Sequence, residues 1–182
     1  MSSAWAACIF RKQSPAKFTE VYIMERIDRV ISEGEQLNVI RKLFREYETE
    51  LAADLYFQDF EAELADPLKK YGCPDGTLLL AYWIDQPAGC IALRSMKEVG
   101  YCEMKRLFVR PEYRKFGIGK TLVNLLIEFA QSNGYAFMRL DTFKKLQAAI
   151  RLYQAEGFYF IESYYPNPYP DVVYMEKRLL ET

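Results

Sequence analysis

The chain contains no histidine. That absence removes the Ser-His-Asp and Cys-His nucleophilic arrangements and every zinc pattern built on an imidazole, so any proton transfer falls to Glu, Asp, Tyr, Cys, Lys or water. Cysteine is sparse. Cys8, Cys73, Cys90 and Cys102 include no C-x-x-C pair and are too few and scattered for a secreted disulfide scaffold, so they read as free thiols of a reducing cytosol. Charge of one sign is not in excess either: 24 Lys+Arg face 25 Asp+Glu, a net charge of −1. No global positive field is available to gather nucleic acid or an anionic membrane surface. The longest apolar run, Leu78 to Ile84, is far short of the ~20 residues that span a bilayer. The stretch Met1 to Phe10 has no basic residues ahead of its apolar ones, as a secretory signal would. The expectation is a cytoplasmic protein with no metal site and neither nucleic acid nor membrane as partner.

The 182 residues are 51% hydrophobic and 15% aromatic, enough for one substantial core. Residues 1–20 read as an N-terminal extension and 21–182 as a single domain, with Met24 an alternative start to Met1. Val21 to Ile27 reads as a first strand. Ser32 and Glu35 offer a capping box, followed by a helix to about Leu51 whose apolar face is Leu37, Ile40, Phe44, Tyr47 and Leu51. Phe57 to Tyr71 is a shorter helix, ended or bent at Pro67, and Gly72, Pro74 and Gly76 mark a loop.

Thr77 to Ile84 and Ala88 to Met96 form a hairpin around Asp85, Gln86 and Pro87, and Tyr101 to Val109 is the third strand of that meander. The period then changes to 3.6. Leu122, Leu125, Leu126 and Phe129 share a face of a helix from about Gly117 to Ser132, stopped by Asn133-Gly134. A strand from Tyr135 to Asp141, a helix from Lys145 to Glu156, and strands Phe158 to Tyr164 and Val172 to Lys177 complete the chain. The class is α/β, an α+β layered arrangement of a mixed sheet with helices on its faces.

The segment Arg114 to Thr121 lies between a strand and an amphipathic helix, a context that favours an anion. The P-loop pattern finds Gly119, Lys120 and Thr121 but puts Arg114 where its first glycine belongs, which leaves a nucleotide phosphotransferase a low-ranked reading. The G-x-G-x-x-G pattern finds Gly117 and Gly119 but Leu122 at its third glycine. The pattern R-x-x-G-x-G fits, through Arg114, Gly117 and Gly119, and it resembles the pyrophosphate loop of the GNAT superfamily of acyl-CoA-dependent N-acetyltransferases. Glu103 to Pro111 is similar to that family's fourth strand, and Ala149 to Phe158 to its A-x-x-L-Y-x-x-x-G-F block. Leu146 departs from the family pattern, which often has asparagine there.

The resemblance implies a mostly antiparallel sheet with a splayed fourth strand, and a bulge near Leu107 and Phe108 that frees a backbone N–H of Phe108 or Val109 for a thioester carbonyl. It implies acetyl-CoA as co-substrate, without a metal, held by Leu107, Phe108 and Val109 and by Arg114, Lys115, Phe116, Gly117, Ile118, Gly119, Lys120 and Thr121. Glu103 occupies the place of the carboxylate that takes the amine proton; equally, it is a charged residue on a half-exposed strand. Tyr153 occupies the place of the tyrosine that protonates the CoA thiolate, or it is a core aromatic. Tyr165 and Tyr169 lie in a proline-rich loop that serves as acceptor wall, structural clamp or homodimer contact. The implied activity is acetyl transfer to a primary amine, on a small molecule or a peptide, by direct attack in a ternary complex. A non-catalytic acyl-CoA-binding module of the same fold is the alternative.

Overall fold

A computed structural model describes residues 25–52 and 59–180. The N-terminal extension, Val21 to Met24 and the two candidate starts lie outside the described residues. Seven strands form one open sheet: β1 (Glu25–Arg29), β2 (Thr77–Trp83), β3 (Gln86–Ser95), β4 (Tyr101–Val109), β5 (Phe137–Phe143), β6 (Tyr159–Ile161) and β7 (Val172–Arg178). Their order across the sheet is β1-β2-β3-β4-β5-β7-β6, and every pairing is antiparallel except β4 with β5.

Helices cover both faces, as the layered α/β reading expects. On one face, α1 (Glu35–Leu51), α2 (Phe60–Ala65) and α3 (Pro67–Tyr71) bury Leu37, Ile40, Phe44, Phe60 and Tyr71 against Leu78, Leu80 and Ala92. On the other, α4 (Ile118–Ser132) and α5 (Gln147–Ala155) bury Leu122, Leu126 and Ile150 against Ile91, Leu93, Met104 and Leu140. Burying each such side chain is worth about 1.5–3 kcal/mol, so these apolar stripes fix which face each helix covers.

Several boundaries differ from the expectations. The α1 N-cap is Gly34, at φ 148°, and no side chain caps the helix, so the Ser32–Glu35 capping box does not form. The β2–β3 turn consists of Ile84 and Asp85, at φ 46° and 58°, so Gln86 and Pro87 already belong to β3. Two positive φ values give a hairpin turn whose twist matches its strands, a geometry the sequence hides by placing isoleucine there. The helical segment breaks at Asp66, as expected near Pro67: α2 ends at Ala65 and Pro67 starts α3 at its first position, with the Asp66 side chain accepting from Lys69 N–H. Strand β6 is only three residues long, because the chain from Glu162 turns away as a loop.

The decisive irregularity is in β4. Cys90 faces Phe108 and Ala92 faces Lys105, so Arg106 and Leu107 together oppose the single residue Ile91, and Arg106 has φ 57°. This β-bulge breaks the alternation of faces. Lys105 and the next residue, Arg106, both turn toward the α1–α2 side. There Arg106 makes a two-pronged ion pair with Glu63 of α2, at 2.6 and 3.0 Å, with both side chains almost fully buried.

That pair ties the bulge to α2: removing Glu63 strands the Arg106 guanidinium in the interior, and removing Arg106 leaves the buried Glu63 carboxylate to the partly exposed Lys70. Arg106→Met is expected to cost about 3–5 kcal/mol in urea unfolding, with much of the loss recovered in the Glu63→Leu/Arg106→Met double variant. Equal losses in the single and double variants would contradict this account of the pair.

Candidate functional site

Strands β4 and β5 pair from Tyr101↔Phe137 to Glu103↔Arg139 and then stop. Beyond that point the strands part, and a cleft of about 50 Å³ opens between them. It is lined by Leu107 of β4, Asp141 and Phe143 of β5, Leu146 and Tyr153 at α5, and Tyr47 of α1. The bulge expected near Leu107 and Phe108 sits one residue earlier, at Arg106–Leu107, at the edge of this opening.

Beyond Leu107, β4 ends at Val109, whose side chain stands 3.8 Å from where a Cβ at Gly119 of α4 would lie. There Lys115 and Gly117 have φ of 76° and 87°, and no side chain caps the helix. Thr121 N–H donates to the Gly117 carbonyl, so the N–H groups of Ile118, Gly119 and Lys120 lie in the unsatisfied first turn, where an anion is favoured. The loop's side chains fasten it to the fold. The Arg114 guanidinium bonds the Val109 carbonyl and Glu50 of α1, and Phe116 stacks on Trp83 at 4.6 Å. Lys120 pairs with Glu156 at 3.5 Å.

The two glycines of the loop have different reasons to be there. Gly117 needs its positive φ. Gly119 does not have a positive φ, and a Cβ there would meet only Leu152 and Val109 side chains, at 3.6 and 3.8 Å. Glycine inside a helix costs roughly 1 kcal/mol relative to alanine, and the fold gives no steric reason for that cost. A ligand that must approach the backbone closely between α4, α5 and β4 does give one.

Of the two candidate catalytic residues, Tyr153 lines the cleft. Burial pushes its phenol well above the ordinary range, so it stays protonated and able to donate. Glu103 is 1% exposed, not half-exposed. One of its carboxylate oxygens accepts from Arg94 at 2.7 Å and the other from the Tyr164 hydroxyl at 2.9 Å. It does not stand among the residues that line the cleft. Cys102, next in the chain, is buried on the opposite face, as its place on the strand requires.

Lys105, Asp141 and Tyr164, to which the sequence assigned no role, complete the site together with Tyr165. Lys105 bonds Asp141 at 2.6 Å and lies 3.7 Å from Glu103. The Tyr165 hydroxyl bonds the Asp141 carboxylate and accepts from Asn167 at 3.2 Å. Tyr164, Tyr165 and Tyr174 pack edge to face. Tyr165 thus faces the cleft network, whereas Tyr169 packs edge-on against Phe143. A signal for Lys105 was present, since it stands two residues from Glu103 on one strand and must share its face.

Burial alone would raise the Asp141 and Glu63 carboxyls. The charge and hydrogen bond of Lys105 on Asp141, and of Arg106 and Lys70 on Glu63, outweigh it and hold both below the usual carboxylate range. Groups lowered in the folded state stabilise it above their unfolded pKa, near 4, and that contribution is lost as pH falls through the folded values. Thermal unfolding followed by calorimetry should therefore show stability falling below about pH 4. A flat profile from pH 6 to pH 2 would contradict it.

Comparison with known proteins adds the following. The model of the Acetyltransferase (GNAT) family matches residues 37–158. An uncharacterised N-acetyltransferase of Schizosaccharomyces pombe is 44% identical over 80% of this chain and 90% of its own. An acetyltransferase of Streptococcus agalactiae superposes with a TM-score of 0.71 at 21% identity, over 85% of this chain and 98% of that one. An N-acetyltransferase of Thermoplasma acidophilum, solved in complex with coenzyme A, gives 0.65 at 19%, over 86% and 99%.

Gly119→Ala makes the fit of the loop testable. It is expected to leave the unliganded protein as stable or up to about 1 kcal/mol more stable, while weakening acetyl-CoA binding in calorimetric titration. Unchanged affinity would show that the glycine serves the fold alone.

Proposed function

The chain belongs to the acetyltransferase (GNAT) family and is an acyltransferase, and from that premise we propose that it moves the acetyl group of acetyl-CoA to a primary amine by direct attack in a ternary complex. The observation that carries this reading is the continuity of two unsatisfied backbone surfaces. Val109 ends the strand that has parted from β5 and stands beside the uncapped start of α4, where Gly119 occupies a helical position that the fold alone does not require to be glycine. The Thermoplasma acidophilum N-acetyltransferase, which shares the fold, was solved in complex with coenzyme A, and that supports acetyl-CoA as the co-substrate in this reading.

In this reading the loop from Lys115 to Thr121 holds the pyrophosphate through the open N–H groups of the first turn, and the edge of β4 from Leu107 to Val109 holds the pantetheine arm. The backbone N–H of Phe108 or Val109 meets the thioester carbonyl and stabilises the oxyanion as charge develops on it. The thioester supplies an acyl carbon open to attack: the N–C bond forms, the C–S bond breaks, and one proton leaves the amine nitrogen. Tyr153 gives its proton to the departing sulfur. The amine proton passes through water toward Glu103, whose carboxylate is joined to the cleft by Tyr164 and by Lys105. Leu146, where the family often has asparagine, makes that wall apolar.

Two substitutions test the proton path. Glu103→Gln should lower kcat/KM most at low pH, where the amine is hardest to deprotonate, and an unchanged pH–rate profile would remove Glu103 from the mechanism. Tyr153→Phe should slow turnover by no more than about 100-fold, because a thiol with a pKa near 8.5 leaves with modest help. Complete loss of turnover with acetyl-CoA binding intact would give Tyr153 a larger part than this.

A further inference from the structure

The Lys105–Asp141 pair lies at a place where the backbone gives no reason for it. In the parallel register of β4 and β5, Lys105 and Asp141 are the pair two positions past the last paired residues, Glu103 and Arg139. Their side chains bridge the strands, at 2.6 Å, where the backbone ladder has ended. Both ions are largely buried, at 7% and 10% exposure, and both line the cleft. An apolar pair of similar volume would join the strands at less cost in desolvation. Lys105 also stands directly before the bulge at Arg106 and Leu107.

Resting on the acetyl-transfer reading of this cleft, we propose that the acceptor is a free amino acid, an amine with a carboxylate close to its nitrogen, recognised by Lys105 through the carboxylate and by Asp141 through the ammonium. A zwitterion is the ligand for which such a pair is matched. Each buried ion exchanges a protein partner for a ligand partner, and neither is left uncompensated. A simple amine would occupy Asp141 and leave Lys105 facing a positive charge.

Arg106 grips Glu63 with two bonds, Arg94 grips Glu103, and Lys145 is held by the Leu51 carbonyl over the Phe143 ring. Lys105 is held by one short bond and one longer approach, on a flexible stem that can turn to a new anion.

The walls fit a small acceptor better than a polypeptide. The loop between β6 and β7 is drawn onto the sheet by Tyr164 on Glu103, by Tyr165 on Asp141, by the Tyr174 hydroxyl on the Tyr165 carbonyl, and by Lys144 N–H on the Asp171 carbonyl. A peptide would have to displace this loop and strip the buried Glu103 of a donor. An amino acid needs only the exchange at Lys105 and Asp141.

The experiment offers the full-length protein the twenty amino acids, the decarboxylated twin of each where one exists, and short peptides. Thiol release is followed and products are identified by mass. Binding of amino acids is read separately, by thermal shift in the presence of CoA. At least one amino acid should be acetylated with a kcat/KM about 10- to 100-fold above that of its decarboxylated twin, the factor expected for one charge-assisted contact. That amino acid should also raise Tm.

In Lys105→Met the preference should collapse toward one and the amino-acid thermal shift should vanish, whereas Lys105→Arg should restore part of both. A merely structural strap would lower turnover on both twins alike and leave their ratio unchanged. Equal kcat/KM for the twins, a preference that survives in Lys105→Met, or no acetylated amino acid from a protein that still binds acetyl-CoA overturns the inference. Transfer to amines without such a preference leaves the acetyltransferase reading standing. Failure to bind acetyl-CoA and to acetylate any amine defeats that reading itself.

Discussion

The positive φ of Arg106 is the constraint on which the rest of the site depends. An arginine in the left-handed region is disfavoured by its Cβ, and it stays there because Glu63 takes its guanidinium with two buried hydrogen bonds. One extra residue in β4 interrupts the ladder with β3, which resumes at Phe108 and Val109, and turns Arg106 to the face that Lys105 already occupies. It stands just past the point where β5 has parted from β4. The opening between the strands and the paired charges meet at this local distortion.

The two faces of the sheet divide the labour. The α4 and α5 side is apolar, and it presents a helix start without a side-chain cap, suited to an anionic ligand. The α1 to α3 side carries the charges and tyrosines, joined in a chain from Asn167 through Tyr165, Asp141 and Lys105 to Glu103 and Arg94. Two ligands can thus meet at the parting of the strands from opposite sides. Ion pairs from α1, Glu46 on Arg110 and Glu50 on Arg114, tie the wall of one half to the loop of the other.

Much of the fold was legible because its signals are local. The stripe Leu122, Leu126 and Phe129 needs only a 3.6-residue period, and the run Thr77 to Trp83 needs only its apolar β-formers and the turn after it. The phosphate-type loop was legible from Arg114, Gly117 and Gly119 with their neighbours. What stayed hidden depends on register or on backbone torsion. Nothing in Lys-Arg-Leu marks Arg106 as the bulged residue, and nothing before the β4–β5 pairing is known brings Asp141 to Lys105. Glu103 looked half-exposed because a strand reading cannot see that Arg94 faces it across β3 or that Tyr164 descends from a distant loop.

The claim that joins these parts is that the uncapped start of α4 and the freed edge of β4 form one continuous surface for acetyl-CoA. Amide hydrogen exchange with and without acetyl-CoA tests it most directly. The account predicts slowed exchange confined to two segments, Leu107 to Val109 and Lys115 to Thr121, with the paired strands β2 and β3 unaffected. Slowing in only one of the two, or an unchanged pattern at saturating acetyl-CoA, would contradict it.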